Sequence, residues 1–348
     1  MRTRLIIWSF ALSVLPALGF AAEEKAVHFL KKPDSWFASD AGRSTAEVIL
    51  SYQAKEGGWP KNTNTVSRKF EGDPGTLKGT FDNSATTDEL RFLARSYHAT
   101  NEDAYKAAFL RGLKHILEAQ YANGGWPQYF PLPPTYNRRI TFNDGCMVRL
   151  MLFLKEVYSE ARYEFVDAAL RSACLTAFDK GVRCILRCQI VVNGVPTVWC
   201  QQHHEETMLP AGARTYELPS FSGAESVGVV RLLMKITPVT SEIRTAVDSA
   251  IRWLDEHKIT GVRIDSVPDL NSPTGTNLIV KKDPAAPPVW ARFYDLKSGA
   301  PYFCDRDGVP KNSIDQIGFE RRNGYGWYGD WPRILIEQEY PAWKRELR

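Results

Sequence analysis

The chain has 348 residues, of which 44% are apolar and 24% are charged, a composition typical of a globular protein with a large core. It has 44 Lys and Arg against 40 Asp and Glu, which gives a formal net charge of +4. Because nucleic-acid binding needs a strongly basic surface, this balance predicts no nucleic-acid partner, and any affinity for a polyanion must come from local clusters of charge.

The first residues have the pattern of a secretory signal peptide. Arg2 and Arg4 precede a mostly apolar run at 5–18, and residues 19–21, Gly-Phe-Ala, form a small-x-small cleavage site. The alternatives are a buried helix or a membrane anchor, but the run is short for a span and contains Pro16. We therefore expect cleavage, a secreted or periplasmic protein, and no membrane attachment afterwards.

Cleavage of residues 1–21 would leave 42 basic and 40 acidic residues, a nearly neutral chain. We expect residues 22–348 to form one domain, because no low-complexity linker divides them, and we expect a monomer. The remaining cysteines lack the Cys and His clustering of a zinc site, and we expect most of them to be buried free thiols.

Helical periodicity dominates the chain after the leader. Apolar residues three and four apart predict helices at roughly 43–54, 85–98, 102–121, 145–159, 164–187, 224–236 and 241–256. Strand patterns are few, at about 195–199, 262–264 and 292–294. The loop-rich stretch from about 257 to 330 is rich in aromatic residues, which argues against disorder.

Two loops repeat one motif. Gly-Gly-Trp-Pro occurs at 57–60 and at 124–127, each time after a helical run, and a polar segment follows before the next helix. This pattern predicts repeated helical hairpins with function on the loops. Such hairpins can close into an all-α (α/α) barrel or toroid.

Three polar segments lie directly before predicted helices, at 80–89, 141–147 and 209–225. The first two contain Asp82 and Asp144, which could bind a hard cation such as Ca²⁺ or could cap the helices. The third contains Arg214, and a guanidinium beside a helix N-terminus suits an anionic ligand. It ends with Ser222 and Glu225, which have the spacing of a capping box.

Other side chains are candidates for contacts with a ligand. Arg292 and Arg306, with Lys311 behind them, could grip carboxylates, although solvation is the usual state of an exposed arginine. Tryptophans in Gly/Pro-rich loops could stack on sugar rings, with core packing as the alternative; these are Trp59, Trp126, Trp327 and Trp331. A metal site at His203 and His204 is imaginable, but adjacent side chains point in different directions.

Together these segments resemble the family 10 polysaccharide lyases, the pectate lyases. The resemblance extends, in the family's order, through Gly57-Gly-Trp-Pro-Lys-Asn62, Gly124-Gly-Trp-Pro-Gln-Tyr129, Trp199-Cys-Gln-Gln-His203, Val289-Trp-Ala-Arg-Phe-Tyr294, Phe303-Cys-Asp-Arg-Asp-Gly308 and Glu320-Arg-Arg-Asn-Gly-Tyr-Gly-Trp-Tyr-Gly329. It covers nearly all of the chain after the leader and implies the toroid fold. The chain departs from the family pattern at Ser84, at Gly145-Cys146 and at His204, and none of these changes removes a proposed catalytic group.

The resemblance implies Ca²⁺-assisted β-elimination of α-1,4-linked polygalacturonate, with 4,5-unsaturated oligogalacturonides as products. It implies Arg214 as the base that removes the C5 proton of a uronate. The other implied contacts are Asp144 and Asp82 for the metal and Asp82, Asn83, Arg292, Arg306 and Lys311 for the substrate. Two alternatives stay open: a glycoside hydrolase that uses Asp82 and Asp144 as acid and base, and a non-catalytic pectin-binding protein.

Overall fold

Helical hairpins organise the architecture. The computed structural model describes residues 24–273 and 275–347, so the predicted leader lies outside the described residues. The α-helices are α1 (Ala26–Phe29), α2 (Asp34–Ala38), α3 (Asp40–Ser51), α4 (Thr87–Thr100), α5 (Asp103–Glu118), α6 (Cys146–Ser159), α7 (Ala168–Cys188), α8 (Glu225–Met234), α9 (Ser241–Glu256), α10 (Phe319–Gly324) and α11 (Tyr340–Glu346). A π-helical turn, Leu335–Glu339, precedes α11. None of the helices described has the length and apolar character of a membrane span.

The helices form two concentric layers. α4, α6 and α8 pack side by side in one layer, and α3, α5, α7 and α9 pack side by side in the other. Each hairpin joins the layers, since α4 packs on α5, α6 on α7 and α8 on α9. The layer of α4, α6 and α8 is the inner one, because a larger share of the residues is buried in these helices than in α5, α7 and α9. The predicted (α/α) toroid is confirmed.

The strands are short and pair two by two, all antiparallel. The pairs are β1 (Ile140–Thr141) with β4 (Gln202–His203), β2 (Val191–Val192) with β3 (Val195–Pro196), β5 (Ser220–Ser222) with β9 (Phe293–Asp295), β6 (Val262–Pro268) with β7 (Thr276–Lys282), β8 (Trp290–Ala291) with β12 (Tyr328–Gly329), and β10 (Phe303–Cys304) with β11 (Pro310–Lys311). In the β5–β9 pair Ser222 lies opposite Phe293, which ties the loop before α8 to the C-terminal region. That region has an aromatic core of its own around Phe293 and Trp327.

Each outer helix is followed by a loop that contains a buried tryptophan, and the side chain of this tryptophan hydrogen-bonds to the helix. The indole Nε1 atoms of Trp59, Trp126, Trp199 and Trp290 donate hydrogen bonds of 2.7, 2.8, 2.7 and 2.6 Å to the carbonyls of Ile49, Ile116, Ile185 and Leu254. All four rings are buried, as is Trp327. Core packing therefore holds for Trp59, Trp126 and Trp327, and among the loop tryptophans proposed for sugar stacking Trp331 alone is partly exposed.

A glutamine at the end of three outer helices links each helix to the next one. The side-chain amide of Gln53 donates to the carbonyls of Gly57 and of Ala108 in α5. Gln120 and Gln189 make the equivalent bridges to α7 and α9. The same contacts at each step make the hairpins structural repeats, although their sequences share little beyond these glutamines and tryptophans. All six cysteines of the described chain are buried and free, as expected for most of them.

Candidate active site

The three polar segments meet at the end of the toroid where the inner helices begin. The amide of Thr80 donates to the carbonyl of Trp59 at 3.0 Å, and the same bond joins Thr141 to Trp126 at 3.2 Å and Ser222 to Trp199 at 2.8 Å. The tryptophan anchors thus hold the segments in equivalent positions. The starts of α4, α6 and α8 consequently face a shared space.

The residue two places after each tryptophan supplies a donor to this space. These residues are Lys61, Gln128, Gln201 and Arg292. Lys61 and Gln128 both donate to Asp82, Gln201 donates to Asn143, and Arg292 donates to Glu225. The sequence analysis missed Lys61, Gln128 and Gln201. The sequence does contain a signal for them, because each stands two positions after a repeated tryptophan and therefore lies at the same point of the fold in its repeat.

Asp82 is buried and accepts three hydrogen bonds. Its Oδ2 accepts from Lys61 Nζ and, at 2.5 Å, from Gln128, while its Oδ1 accepts from the amide of Asn83 at 3.0 Å. Burial works to lower the pKa of Lys61, but the hydrogen bond and charge of Asp82 outweigh it and raise that pKa. Asn83 and Ser84 have φ angles of 52° and 64°, in the left-handed region that non-glycine residues seldom adopt.

Asp144 presents a more open carboxylate. Its side chain is 43% exposed, its Oδ2 accepts from Asn143 at 3.0 Å, and its Oδ1 lies 3.4 Å from a nitrogen of Arg292. Asp144 also has a left-handed φ angle, 48°, which bends the chain just before α6. Gly145 occupies the N-cap position of α6, so Asp144 is not the capping residue of this helix.

Arg214 is held by a buried glutamate between two aromatic rings. Its Nε donates to Glu217 Oε2 at 2.7 Å and its Nη2 to Oε1, and its guanidinium lies 4.9 Å from the ring of Tyr216 and 5.5 Å from that of Tyr325. Tyr325 also donates to Glu217 Oε1 at 2.7 Å. Although burial works to lower the pKa of Arg214, the bond and charge of Glu217 raise it above its ordinary value.

Arg292 lies deeper than Arg214 and is bound by a second buried glutamate. It ion-pairs with Glu225, and its guanidinium is 4.9 Å from the ring of Tyr325. Burial works to lower the pKa of Arg292, but the charges of Glu225, Tyr325 and Asp144 raise it. Glu225 also binds the hydroxyl of Ser222, whose Oγ accepts from the Glu225 amide at 3.1 Å. The predicted capping box is not formed, because Ala224 is the N-cap residue of α8 and the Ser222 amide donates to the carbonyl of Trp199.

These side chains line one polar cavity of about 160 Å³. It contains four of the predicted residues, Asp82, Asn83, Asp144 and Arg214, together with Lys61, Asn62, Gln128, Tyr136, Asn143, Gln202 and Glu217. Arg292 and Trp331 line a neighbouring cavity of about 200 Å³, which shares Asp144 with the first. A wider cavity of about 550 Å³ lies between α7 and α9 and contains none of the predicted residues.

Two predicted substrate-binding residues lie outside these cavities. Arg306 is 64% exposed, pairs with Glu320 through two bonds of 2.8 Å, and lies 5.9 Å from the ring of Tyr216. It is therefore at the rim beside Arg214. Lys311 lies in β11 opposite Phe303 and lines neither cavity. Contact of either side chain with a substrate stays a prediction.

The fit of the site to a metal ion rests on two carboxylates. No group of three His, Cys, Asp or Glu able to hold a metal occurs among residues 24–273 and 275–347. Both ring nitrogens of His203 already have backbone partners, because Nε2 accepts from the amide of Cys200 and Nδ1 lies 2.8 Å from the carbonyl of Met208. Asp144 and Asp82 therefore fit a hard cation such as Ca²⁺ only if a ligand adds further oxygens.

The fold and the cavity define an (α/α) toroid with a charged ligand site on its loops. Residues 53–336 match the family model of the pectic acid lyases. The chain is similar to the structure of a family 10 polysaccharide lyase from Cellvibrio cellulosa, with 34% identity and a TM-score of 0.77 over 91% of this chain and 96% of that one. It is also similar to a mutant of that organism's family 10 enzyme in complex with trigalacturonic acid, with 33% identity, a TM-score of 0.76 and the same coverage.

The chain therefore belongs to the pectic acid lyases, the polysaccharide lyases of family 10, and the resemblance seen in its sequence is confirmed. Comparison with curated proteins gave no match.

Proposed function

We propose that this protein is a pectate lyase that cleaves α-1,4-linked polygalacturonate by β-elimination. Family membership supports the lyase chemistry, and the trigalacturonic acid bound to the similar structure supports a polyuronate substrate. The observation that carries the proposal is the shared cavity. It brings a partly exposed arginine, Arg214, together with the open carboxylate of Asp144 and the ammonium of Lys61.

In the proposed reaction Arg214 takes the C5 proton of a uronate. The electron pair of the C–H bond forms the C4–C5 double bond, and the C4–O bond breaks with its electrons on the leaving oxygen, which then takes a proton from solvent. The reacting sugar keeps a 4,5-unsaturated end. Ca²⁺ held by Asp144, Asp82 and the uronate carboxylate would withdraw charge and make the C5 proton more acidic.

The ion pair with Glu217 opposes the role of Arg214 as a base, because it stabilises the charged guanidinium. The base form is therefore easier to reach when Arg214 separates from Glu217. The carboxylate would not be left without partners, since Tyr325 donates to it at 2.7 Å and Gln201 at 3.2 Å. The reaction should consequently be favoured at high pH.

The glycoside hydrolase alternative needs a carboxyl group that donates a proton to the glycosidic oxygen. Both oxygens of Asp82 already act as acceptors, and Asp144 is open to solvent. The geometry thus favours elimination. Secretion or export to the periplasm, and a monomeric state, remain part of the proposal.

One assay tests the proposal. Purified protein is incubated with polygalacturonate in Ca²⁺ or in chelator, and the products are followed by their ultraviolet absorbance. Elimination predicts an absorbing, unsaturated sugar end that forms only with Ca²⁺. New reducing ends without absorbance would identify a hydrolase, and binding without any product would identify a non-catalytic pectin-binding protein.

A further inference from the structure

A second cavity adjoins the candidate active site on the side of Lys61. It has a volume of about 320 Å³, and Lys61 lines both it and the cavity that contains Arg214. The two cavities therefore meet at this side chain. A ligand long enough to occupy both cavities would pass Lys61.

The lining of this cavity suits an acidic sugar. Its two lysines differ, because Lys61 is paired with Asp82 whereas Lys78 is not paired with any described residue, and none of the described residues that line the cavity is acidic. Lys78 is exposed and makes no ion pair with any residue that the structure describes, so its ammonium is available to a ligand. A carboxylate placed here would meet a positive charge that no neighbouring side chain neutralises.

Aromatic rings form the rest of the surface. Tyr129 lies under the ammonium of Lys61 at 5.8 Å and is partly exposed. Tyr52 and Phe70 pack against each other with ring centroids 5.4 Å apart, and both are partly exposed in the same cavity. Rings that keep an open face beside a charged group provide an amphipathic surface, as a sugar ring with a carboxylate requires.

The cavity at the other end of the site has the opposite charge. Arg292 there is matched by Glu225, and Asp144 adds another carboxylate. The two cavities on either side of the reacting centre therefore differ in charge, and an anionic polymer would bind more favourably in the cavity that contains Lys78.

We propose that the cavity of Lys61, Lys78, Tyr129, Tyr52 and Phe70 is a subsite that binds an unesterified uronate of the substrate chain next to the sugars at the reacting centre. The identity of this ligand rests on the proposed function. The subsite makes affinity increase with chain length, and it makes that increase depend on a free carboxylate.

The test compares Lys78→Gln with Lys114→Gln, which removes the same charge from an exposed position on α5 outside this cavity. Galacturonate oligomers from trimer to octamer are used, and both kcat/KM and the binding constant from calorimetry are measured. Lys78→Gln should raise KM and weaken binding of the octamer by about two- to fivefold, the effect of one exposed charged contact. Methyl-esterified octamer should show no difference between Lys78→Gln and the wild type.

Tyr129→Ser provides a second variant and should also reduce the gain in affinity with chain length. If the wild type cleaves oligomers and Lys78→Gln behaves like Lys114→Gln, the subsite is disproved while the lyase function stands. If no unsaturated product forms but Lys78→Gln weakens binding of the octamer, the subsite stands and the proposed reaction is disproved.

Discussion

Arg214 shows how one side chain can bind an anion at rest and still be a candidate base. Glu217 fixes it through two hydrogen bonds, and the rings of Tyr216 and Tyr325 restrict it from two sides. This arrangement positions the guanidinium but raises its pKa. The position of Arg214 and its strength as a base are therefore separate properties, and substitutions of Arg214 can test each of them.

Arg214→Ala should lose turnover by at least the roughly 10²–10⁴-fold that a positioned general base provides, while oligogalacturonate binding is retained. Arg214→Lys should keep a small activity with an altered pH profile, because lysine titrates lower but is shorter and cannot fork. Steady-state kinetics across pH and calorimetric binding give both results. A raised KM with nearly unchanged kcat in both variants would leave Arg214 as a binding residue only.

Asp144 supplies the open carboxylate of the site, and its effect can be separated from that of the metal. Asp144→Ala should behave like wild type in chelator even when Ca²⁺ is in excess, because one of two protein carboxylates is lost. Asp255→Ala, at an exposed position near the end of α9, is the control for removing a carboxylate. Activity is measured against Ca²⁺ concentration, and full activity of the wild type in chelator would refute a metal requirement.

At the scale of elements, the tryptophan repeat supports the site. Trp126→Phe removes the bond to the Ile116 carbonyl and should destabilise the protein by about 2–4 kcal/mol, the combined effect of a lost buried hydrogen bond and a small cavity. Trp343→Phe is the control, because the ring of Trp343 is also buried but its indole makes no hydrogen bond to any described residue. It makes the same change in volume and should reduce the free energy of unfolding by less. Denaturant unfolding of both variants measures the difference. Equal losses would mean that the indole bond contributes nothing.

The helices that hold the site were predictable, and part of the site was not. The inner helices begin at Thr87, Cys146 and Glu225, within about two residues of the predicted starts, because apolar periodicity and polar caps are local signals. Lys61 and Gln128 could not be identified as partners of Asp82, since they lie 21 and 46 residues from it in sequence. Only the fold brings them together, through backbone bonds that carry no side-chain signature.

At the scale of the whole molecule, a nearly neutral chain brings several cationic side chains together in adjoining cavities, and most of them are paired with carboxylates. Lys61, Lys78 and Arg214 line adjoining cavities, and Arg306 lies at the rim. We therefore expect faster cleavage of unesterified polygalacturonate than of highly methylated pectin, because esterification removes the charge that these side chains bind. Initial rates on one pectin before and after de-esterification make the comparison with the polymer held constant. Equal rates would show that the cationic side chains do not bind carboxylates.

Acid stability depends on buried titratable groups that do not line the cavities of the site. Burial lowers the pKa of His115 to about 4, and neither of its ring nitrogens has a hydrogen-bond partner in the described chain. A histidine of the unfolded chain binds its proton near pH 6.5, so the unfolded state holds more protons than the folded state between pH 6.5 and 4. The contribution of neutral His115 to the free energy of unfolding is therefore fully present above pH 6.5, and it is lost as the pH falls to 4. Glu89 acts in the opposite direction, because burial raises its pKa to about 7 and favours the folded state as the pH falls from 7 to 4.5.

The contribution of His115 is therefore best measured as a difference between variants, in which the effect of Glu89 cancels. His115→Phe keeps an aromatic ring against Phe81 and Phe130, which lie 5.1 and 5.8 Å away, and removes the titrating group. Relative to the wild type, its free energy of unfolding should improve by up to about 3 kcal/mol as the pH is lowered from 7 to 4. His98→Phe, at an exposed position on α4, should show no such trend. Urea unfolding at several pH values measures both differences, and parallel curves for His115→Phe and the wild type would show that His115 takes up its proton equally in the folded and unfolded states.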